Sequence, residues 1–70
     1  GEPVDLNDIR PGDLLFFTLR PDTNRVVHVG IALPNHRMIH ASRFHKSIVI
    51  SDWSAPYYKD RLFAARRLRA

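Results

Sequence analysis

Residues 26–42 read VVHVGIALPNHRMIHAS, the clearest secondary-structure pattern in the chain. Two apolar runs, Val26 to Leu33 and Met38 to Ser42, lie on either side of Pro34-Asn35-His36. Valine and isoleucine favour extended backbone, so both runs predict β-strands. Proline and asparagine are typical turn residues, and the short connection predicts that the two strands pair as an antiparallel hairpin.

The predicted hairpin carries two histidines, His28 and His40, one on each strand. A three-residue loop pairs Leu33 with Arg37, which sets Gly30 against His40. Because strand side chains alternate between faces, both histidines then lie on one face as diagonal neighbours, roughly 7–8 Å apart at the backbone. Imidazole rings can close that distance, so we expect a hydrogen bond directly or through one water. This small, polar face is predicted to be an active-site wall with open space at Gly30.

The opposite face of the same strand is aliphatic and carries Val27, Val29, Ile31 and Leu33. We therefore predict that the hydrophobic core lies on this side. The large residues of the strand segments form the expected apolar cluster, namely Phe16 or Phe17 with Val29, Ile31, Ile39 and Leu62. Truncating a buried Ile31 to alanine is expected to cost roughly 2–5 kcal/mol.

Further elements extend this hairpin in both directions. Pro11-Gly12 is a turn signal, because proline presets φ and glycine accepts a positive φ. Other predicted elements are a helical turn over 5–9, strands over 14–19, 48–50 and 62–68, and one helical turn near 55–60. The prediction is a single α+β domain over residues 1–70, with an antiparallel sheet of about five strands and little helix.

Composition limits the possible functions of this 70-residue chain. It contains no cysteine, which excludes a disulfide or a thiolate metal site within it. No apolar run approaches the roughly 20 residues of a membrane-spanning helix, so no span is predicted. The formal net charge is +4, with arginines concentrated near the end at Arg61, Arg66, Arg67 and Arg69. A small basic β-barrel that binds nucleic acid is one alternative, although no nucleic-acid motif appears and an anionic cell wall fits the charge equally well.

The histidines have plainer interpretations that stay open at this point. Two histidines in one small domain are most often solvated or hydrogen-bonded locally. A metal site made of His28, His36, His40 and His45 lacks a carboxylate at ligand spacing. We therefore expect no metal and no cofactor. Ser42 is the one hydroxyl opposite His28 in the predicted register, but a serine on the same flat sheet has a poor approach to that base.

Six segments in order carry a family resemblance: PGDLLFF, HVGIAL, MIHAS, SIVI, the pair Tyr57-Tyr58 and the closing LFAARRL. This order resembles the second half of an NlpC-type cell-wall cysteine peptidase domain. The resemblance implies the sheet half of a papain-like α+β fold, with His28 as catalytic base and His40 as the residue that orients it. It also implies a peptidoglycan stem-peptide substrate, cleaved at a D-glutamyl–diamino-acid bond, and a secreted, periplasmic or cell-wall location.

The sequence departs from the family pattern in two places. The expected Asp-Cys-Ser-Gly nucleophile motif and its helix are absent, and the hairpin turn, usually glycine-rich, reads Pro34-Asn35-His36. The resemblance thus implies the C-terminal portion of a peptidase domain that is inactive alone. We expect it to need the missing N-terminal half-domain or to self-associate, with a helix packed on the histidine face. Alternatives are a permuted acyltransferase type, disfavoured by the closing LFAARRL, and a catalytically dead cell-wall-binding module.

Overall fold

The computed structural model describes residues 1–68, which form one antiparallel sheet and one short helix. The strands are β1 (Glu2–Val4), β2 (Leu14–Thr18), β3 (Val26–Leu33), β4 (Arg37–Ser42), β5 (Ser47–Asp52) and β6 (Leu62–Arg67), and the helix is α1 (Pro56–Lys59). Their order across the sheet is β1-β6-β2-β3-β4-β5. The α+β prediction is confirmed, and the short β1 adds a sixth strand that the sequence did not predict. Within residues 1–68, no helix has the length and apolar character needed to cross a membrane.

The central hairpin of β3 and β4 has the predicted register. Leu33 pairs with Arg37 and Gly30 pairs with His40. Asn35 and His36 close the turn with φ angles of 65° and 59°, the left-handed region that asparagine tolerates better than most residues. The β3–β4 pairing runs from Leu33 and Arg37 to Gly30 and His40. It does not reach His28 and Ser42, which the sequence predicted to pair.

The hydrophobic core lies on the histidine face of the sheet. Its buried members come from four strands and are Leu15, Phe17, Ala32, Met38 and Ala65. Half-buried side chains from the loops and from α1 pack onto them, including Ile9, Trp53 and Tyr58. We call this side the inner face. The predicted presence of Phe17 and Leu62 in the apolar cluster is confirmed.

The prediction that the aliphatic face forms the core is wrong. Val29, Ile31 and Ile39 are 47%, 44% and 37% exposed, and Ile48 and Ile50 beside them are exposed too. We call this surface, made of those five residues, the open face. The physical reason is that the chain's own covering groups, Ile9, Trp53 and Tyr58 among them, all pack on the inner face.

The arginines near the end of the chain are engaged within it. Arg67 donates from Nε to Asp13 Oδ1 and from Nη2 to Asp13 Oδ2, both at 2.9 Å, and Asp13 is only 1% exposed. This hydrogen bond lowers the pKa of the Asp13 carboxyl. Arg61 donates to the carbonyls of Leu19 and Tyr57. Arg66 donates to the carbonyl of Gly1. Three of the four clustered arginines thus have contacts inside the fold, and the fourth, Arg69, lies outside the described residues.

Candidate active site

His28 and His40 meet on the inner face, as the register requires. His28 projects from β3 and His40 from β4, and His28 Nε2 lies 2.8 Å from His40 Nδ1. Their rings are nearly perpendicular, at 88°, with centroids 5.0 Å apart. The predicted geometry of two same-face neighbours within direct hydrogen-bond distance is confirmed. The catalytic roles assigned to these residues stay a prediction.

A third side chain, Ser51 on β5, extends this contact. His40 Nε2 lies 2.8 Å from Ser51 Oγ, so both ring nitrogens of His40 have a partner. Ser51 pairs with Met38 in the β4–β5 register, which makes it a diagonal neighbour of His40 on the same face. Sequence reasoning missed Ser51. The signal that could have found it was the alternation of SIVISD, which places residues 47, 49 and 51 on one face once β5 is paired.

Aromatic side chains pack against both imidazoles. The Phe17 ring lies 6.0 Å from that of His28, and the Tyr58 ring lies 5.5 Å from that of His40. Phe17 and Tyr58 are themselves in edge-to-face contact at 5.7 Å. Such packing favours one placement of the two rings and so the short contact between their nitrogens.

Gly30 lies opposite His40 and has a different role from the one expected. A Cβ atom at Gly30 would lie 2.7 Å from Met38 Sδ and 3.5 Å from His40 Cβ. The predicted open space beneath His40 is therefore wrong, because the buried Met38 side chain occupies it. Glycine is needed here since the methionine and the histidine both pack against its backbone.

Burial lowers the pKa of both histidines. For His28 the second cause is the nearby positive charge of Arg43. For His40, the neighbouring His28 and His45 lower the pKa further. Both shifts favour neutral rings, and a neutral imidazole has one nitrogen lone pair that can accept a proton.

A pocket of about 100 Å³ opens beside His28. Its wall includes Arg43 and Phe44 from the β4–β5 turn, Val27 from β3 and Tyr57 from α1. Among the described residues, Nδ1 of His28 has no hydrogen-bond partner, whereas Nε2 is bonded to His40. His28 thus has one fixed nitrogen and one that remains available for proton transfer.

The other polar candidates are not joined to His28. Ser42 lines the same pocket, but its Oγ accepts a hydrogen bond from the backbone N–H of His45 at 3.2 Å. His36 packs against the ring of Trp53, with centroids 4.9 Å apart. In the part of the chain that the structure describes, no group of three or more histidine, aspartate or glutamate side chains is placed to hold a metal ion.

The sheet thus places a group that can accept a proton next to a space that can admit a ligand. The family model described as NlpC/P60 family matches residues 1–67. The chain therefore belongs to the NlpC/P60 family. A solved structure of an NlpC/P60 family protein from Bacillus cereus ATCC 10987 superposes with a TM-score of 0.85 at 33% identity, over 96% of this chain and 22% of that one.

Curated relatives carry peptidase names. The chain is 36% identical over 67 residues to the γ-D-glutamyl-L-lysine dipeptidyl-peptidase of Bacillus subtilis strain 168, covering 96% of this chain and 23% of that protein. It is 38% identical over 68 residues to the murein DD-endopeptidase MepS/murein LD-carboxypeptidase of Escherichia coli strain K12, covering 97% of this chain and 34% of that protein. The chain thus spans about a quarter to a third of the length of these relatives.

Proposed function

We propose that this chain forms the histidine side of a cysteine-peptidase active site that hydrolyses peptidoglycan stem peptides. The bond cleaved is of the D-glutamyl–diamino-acid type. The observation that carries the proposal is the 2.8 Å contact between His28 Nε2 and His40 Nδ1 beside a pocket. It is supported by relatives named as a γ-D-glutamyl-L-lysine dipeptidyl-peptidase and a murein endopeptidase.

In this reaction His28 transfers the protons, and His40 holds the His28 ring in place. Nδ1 of His28 takes the proton of a cysteine thiol, and the thiolate attacks the scissile carbonyl carbon. The same nitrogen then protonates the leaving amine, which departs as a thioester forms. His28 next takes a proton from water, and the resulting hydroxide attacks the thioester. As the acid leaves, His28 returns the proton to the sulfur and the thiol is regenerated. Throughout, Nε2–H of His28 donates to His40 Nδ1, which fixes the ring plane.

The thiol must come from outside residues 1–70, since the sequence contains no cysteine. This requirement favours a distinct thiol-bearing half-domain over a second copy of the chain, which would bring no nucleophile. That half-domain must reach the pocket beside His28 on the inner face, on the opposite side of the sheet from the open face. With peptidoglycan as substrate, we expect the protein to act at the cell wall, in the periplasm or after secretion.

The test is reconstitution with a thiol-bearing NlpC-type half-domain, supplied fused or as a separate chain. We expect release of product from an L-Ala-γ-D-Glu–diamino-acid peptide only when both parts are present. His28→Ala should lower the rate by about 10²–10⁴-fold, the usual contribution of general acid–base catalysis. His40→Ala should leave more residual activity, because it acts through His28.

His36→Ala is the matched control. His36 lies in the turn between β3 and β4 and packs against Trp53 instead of contacting His28. The substitution should leave hydrolysis unchanged. Hydrolysis by the 70 residues alone, or a reconstituted enzyme that is indifferent to loss of His28, would overturn the proposal.

A second candidate is a cell-wall-binding module without catalysis, favoured by the absence of cysteine from the sequence. It predicts that the chain binds muropeptide and that no half-domain restores hydrolysis. Calorimetric titration of the chain with muropeptide, followed by the reconstitution assay, separates the two functions.

A further inference from the structure

The hydrogen bonds of the site do not end at the two histidines. Ser51 Oγ, His40 Nε2, His40 Nδ1 and His28 Nε2 form a continuous series with both contacts at 2.8 Å. Ser51 and His40 come from adjacent strands, β5 and β4, and His28 from β3. When both imidazoles are neutral, the hydrogen bonds of this series can run in two directions. Only one direction leaves His28 able to act as a base.

In the first direction, Ser51 donates to His40 Nε2, and His40 Nδ1–H donates to His28 Nε2. The remaining proton of neutral His28 then sits on Nδ1, which cannot accept another. In the second direction, His28 Nε2–H donates to His40 Nδ1, and His40 Nε2–H donates to Ser51 Oγ. His28 Nδ1 then carries a lone pair that accepts a proton.

Protonation of His28 removes the choice. An imidazolium donates from both nitrogens, so the neutral His40 must accept at Nδ1 and carry its own proton on Nε2. Ser51 Oγ is then the acceptor for that proton. The half-buried position of Ser51 limits its replacement by water.

We propose that Ser51 is a positioning residue that accepts the Nε2–H of His40 when His28 is protonated, and so stabilises the hydrogen bond that His40 receives from His28. The inference rests on the proposed function for its role in hydrolysis, but its geometry and its test do not need a substrate. Ser51 thus extends the predicted pair to a series of three side chains on three neighbouring strands.

Other charged and titratable groups face the pair and must be held constant in any test. They are Arg43 and His45 from the β4–β5 turn, Tyr57 and Tyr58 from α1, and Arg61. The substitution chosen should therefore change neither charge nor these neighbours. Ser51→Ala meets this condition, and Ser51→Thr keeps the hydroxyl.

The experiment is nitrogen NMR of the chain with labelled histidine, recorded across a pH titration. In the wild type, His40 should have its proton on Nε2 once His28 is protonated. Ser51→Ala should lower the pKa of His28 by about half to one unit, the size expected for loss of one net hydrogen bond to a series that stabilises a cation. Ser51→Thr should restore the wild-type pKa of His28.

Ser47→Ala is the matched control, because Ser47 lies on the same strand and is exposed. It should change neither the tautomer nor the pKa of His28. A wild-type His40 with its proton on Nδ1 when His28 is charged would overturn the inference, and this result does not depend on any variant folding. An unchanged His28 pKa in a folded Ser51→Ala chain would overturn it as well.

Activity separates this inference from the proposed function. In the reconstituted peptidase, Ser51→Ala should shift the acidic limb of the pH–rate profile to lower pH and lower kcat more than it raises KM. If no hydrolysis is found but the NMR result holds, the proposed function fails and the role of Ser51 as positioning residue stands. If His28 is essential but the NMR result fails, only the role of Ser51 is wrong.

Discussion

The inner face and the open face of the sheet differ in composition and in burial, and the more aliphatic face is the exposed one. The inner face is built from alanine, glycine, histidine and serine together with Leu15, Phe17 and Met38, and it is the buried one. The open face is built from valine and isoleucine and is exposed. Composition alone shows which face has the more apolar side chains, whereas burial depends on which face the rest of the chain can cover. Here the loops and α1 return over the inner face.

The two faces also differ in where the polar groups lie. Asp13, Thr18, His40 and Ser42 are all buried, and each has a hydrogen-bond partner. Burying such groups is tolerated because a satisfied polar group avoids most of the desolvation cost. The inner face therefore combines the hydrophobic core with the candidate active site.

Two adjacent residues on β4 test the difference in burial between the two faces. They also give the largest expected change in the free energy of unfolding. Met38 is fully buried on the inner face, and Ile39, next to it, is 37% exposed on the open face. Met38→Ala should lower the free energy of unfolding by about 2–5 kcal/mol. Ile39→Ala should lower it by less than about 1 kcal/mol. Urea denaturation of both variants measures the difference, and equal losses would contradict the assignment of the faces.

Gly30→Ala tests the close packing beneath the histidines. The new methyl group would lie 2.7 Å from Met38 Sδ, so the methionine must shift within the core. We expect a loss of about 1–3 kcal/mol, as for other overpacked sites. The histidine NMR signals should also change, because His40 Cβ lies beside the same position. Val29→Ala, on the other face of β3, is the control and should leave those signals in place.

The pH dependence of stability should report the buried histidine pair. Burial lowers the pKa of His28 and of His40, so the unfolded chain binds protons more readily than the folded one. The stability that the neutral pair contributes is present above the unfolded pKa of about 6.5 and is lost as the pH falls below it. Urea midpoints between pH 8 and pH 5 should decrease accordingly. The decrease should be weaker in His40→Asn and retained in His36→Asn.

The smallest expected change in folding stability is on the open face. Ile50→Lys replaces an exposed isoleucine and should change the free energy of unfolding by no more than about 0.5 kcal/mol. It should nevertheless reduce self-association, because the charge interrupts a contiguous apolar surface. Sedimentation velocity at high concentration measures this effect. Ser47→Lys adds the same charge to β5 away from the open face, so it should leave association unchanged; a wild-type chain that stays monomeric throughout would contradict the prediction.

Local patterns were enough to predict most elements and the histidine contact. The turn at residues 34–36 determined the register of β3 and β4, and strand alternation then placed His28 and His40 together. Pro56 likewise predicted the start of α1. β1 was missed because it has only three residues, including a proline, and its pairing with β6 depends on contacts between opposite ends of the chain.

Spacing and residue type alone were enough to predict the strand hairpin and the shared face of His28 and His40, and they show that this chain has no cysteine nucleophile. Three features depend on the packing of distant segments: which face is buried, the Met38 side chain in the space at Gly30, and the contacts of Ser51 with His40 and of Arg67 with Asp13. The physical reason is that a period of two assigns side chains to opposite faces but does not distinguish inside from outside. That distinction depends on where distant segments pack.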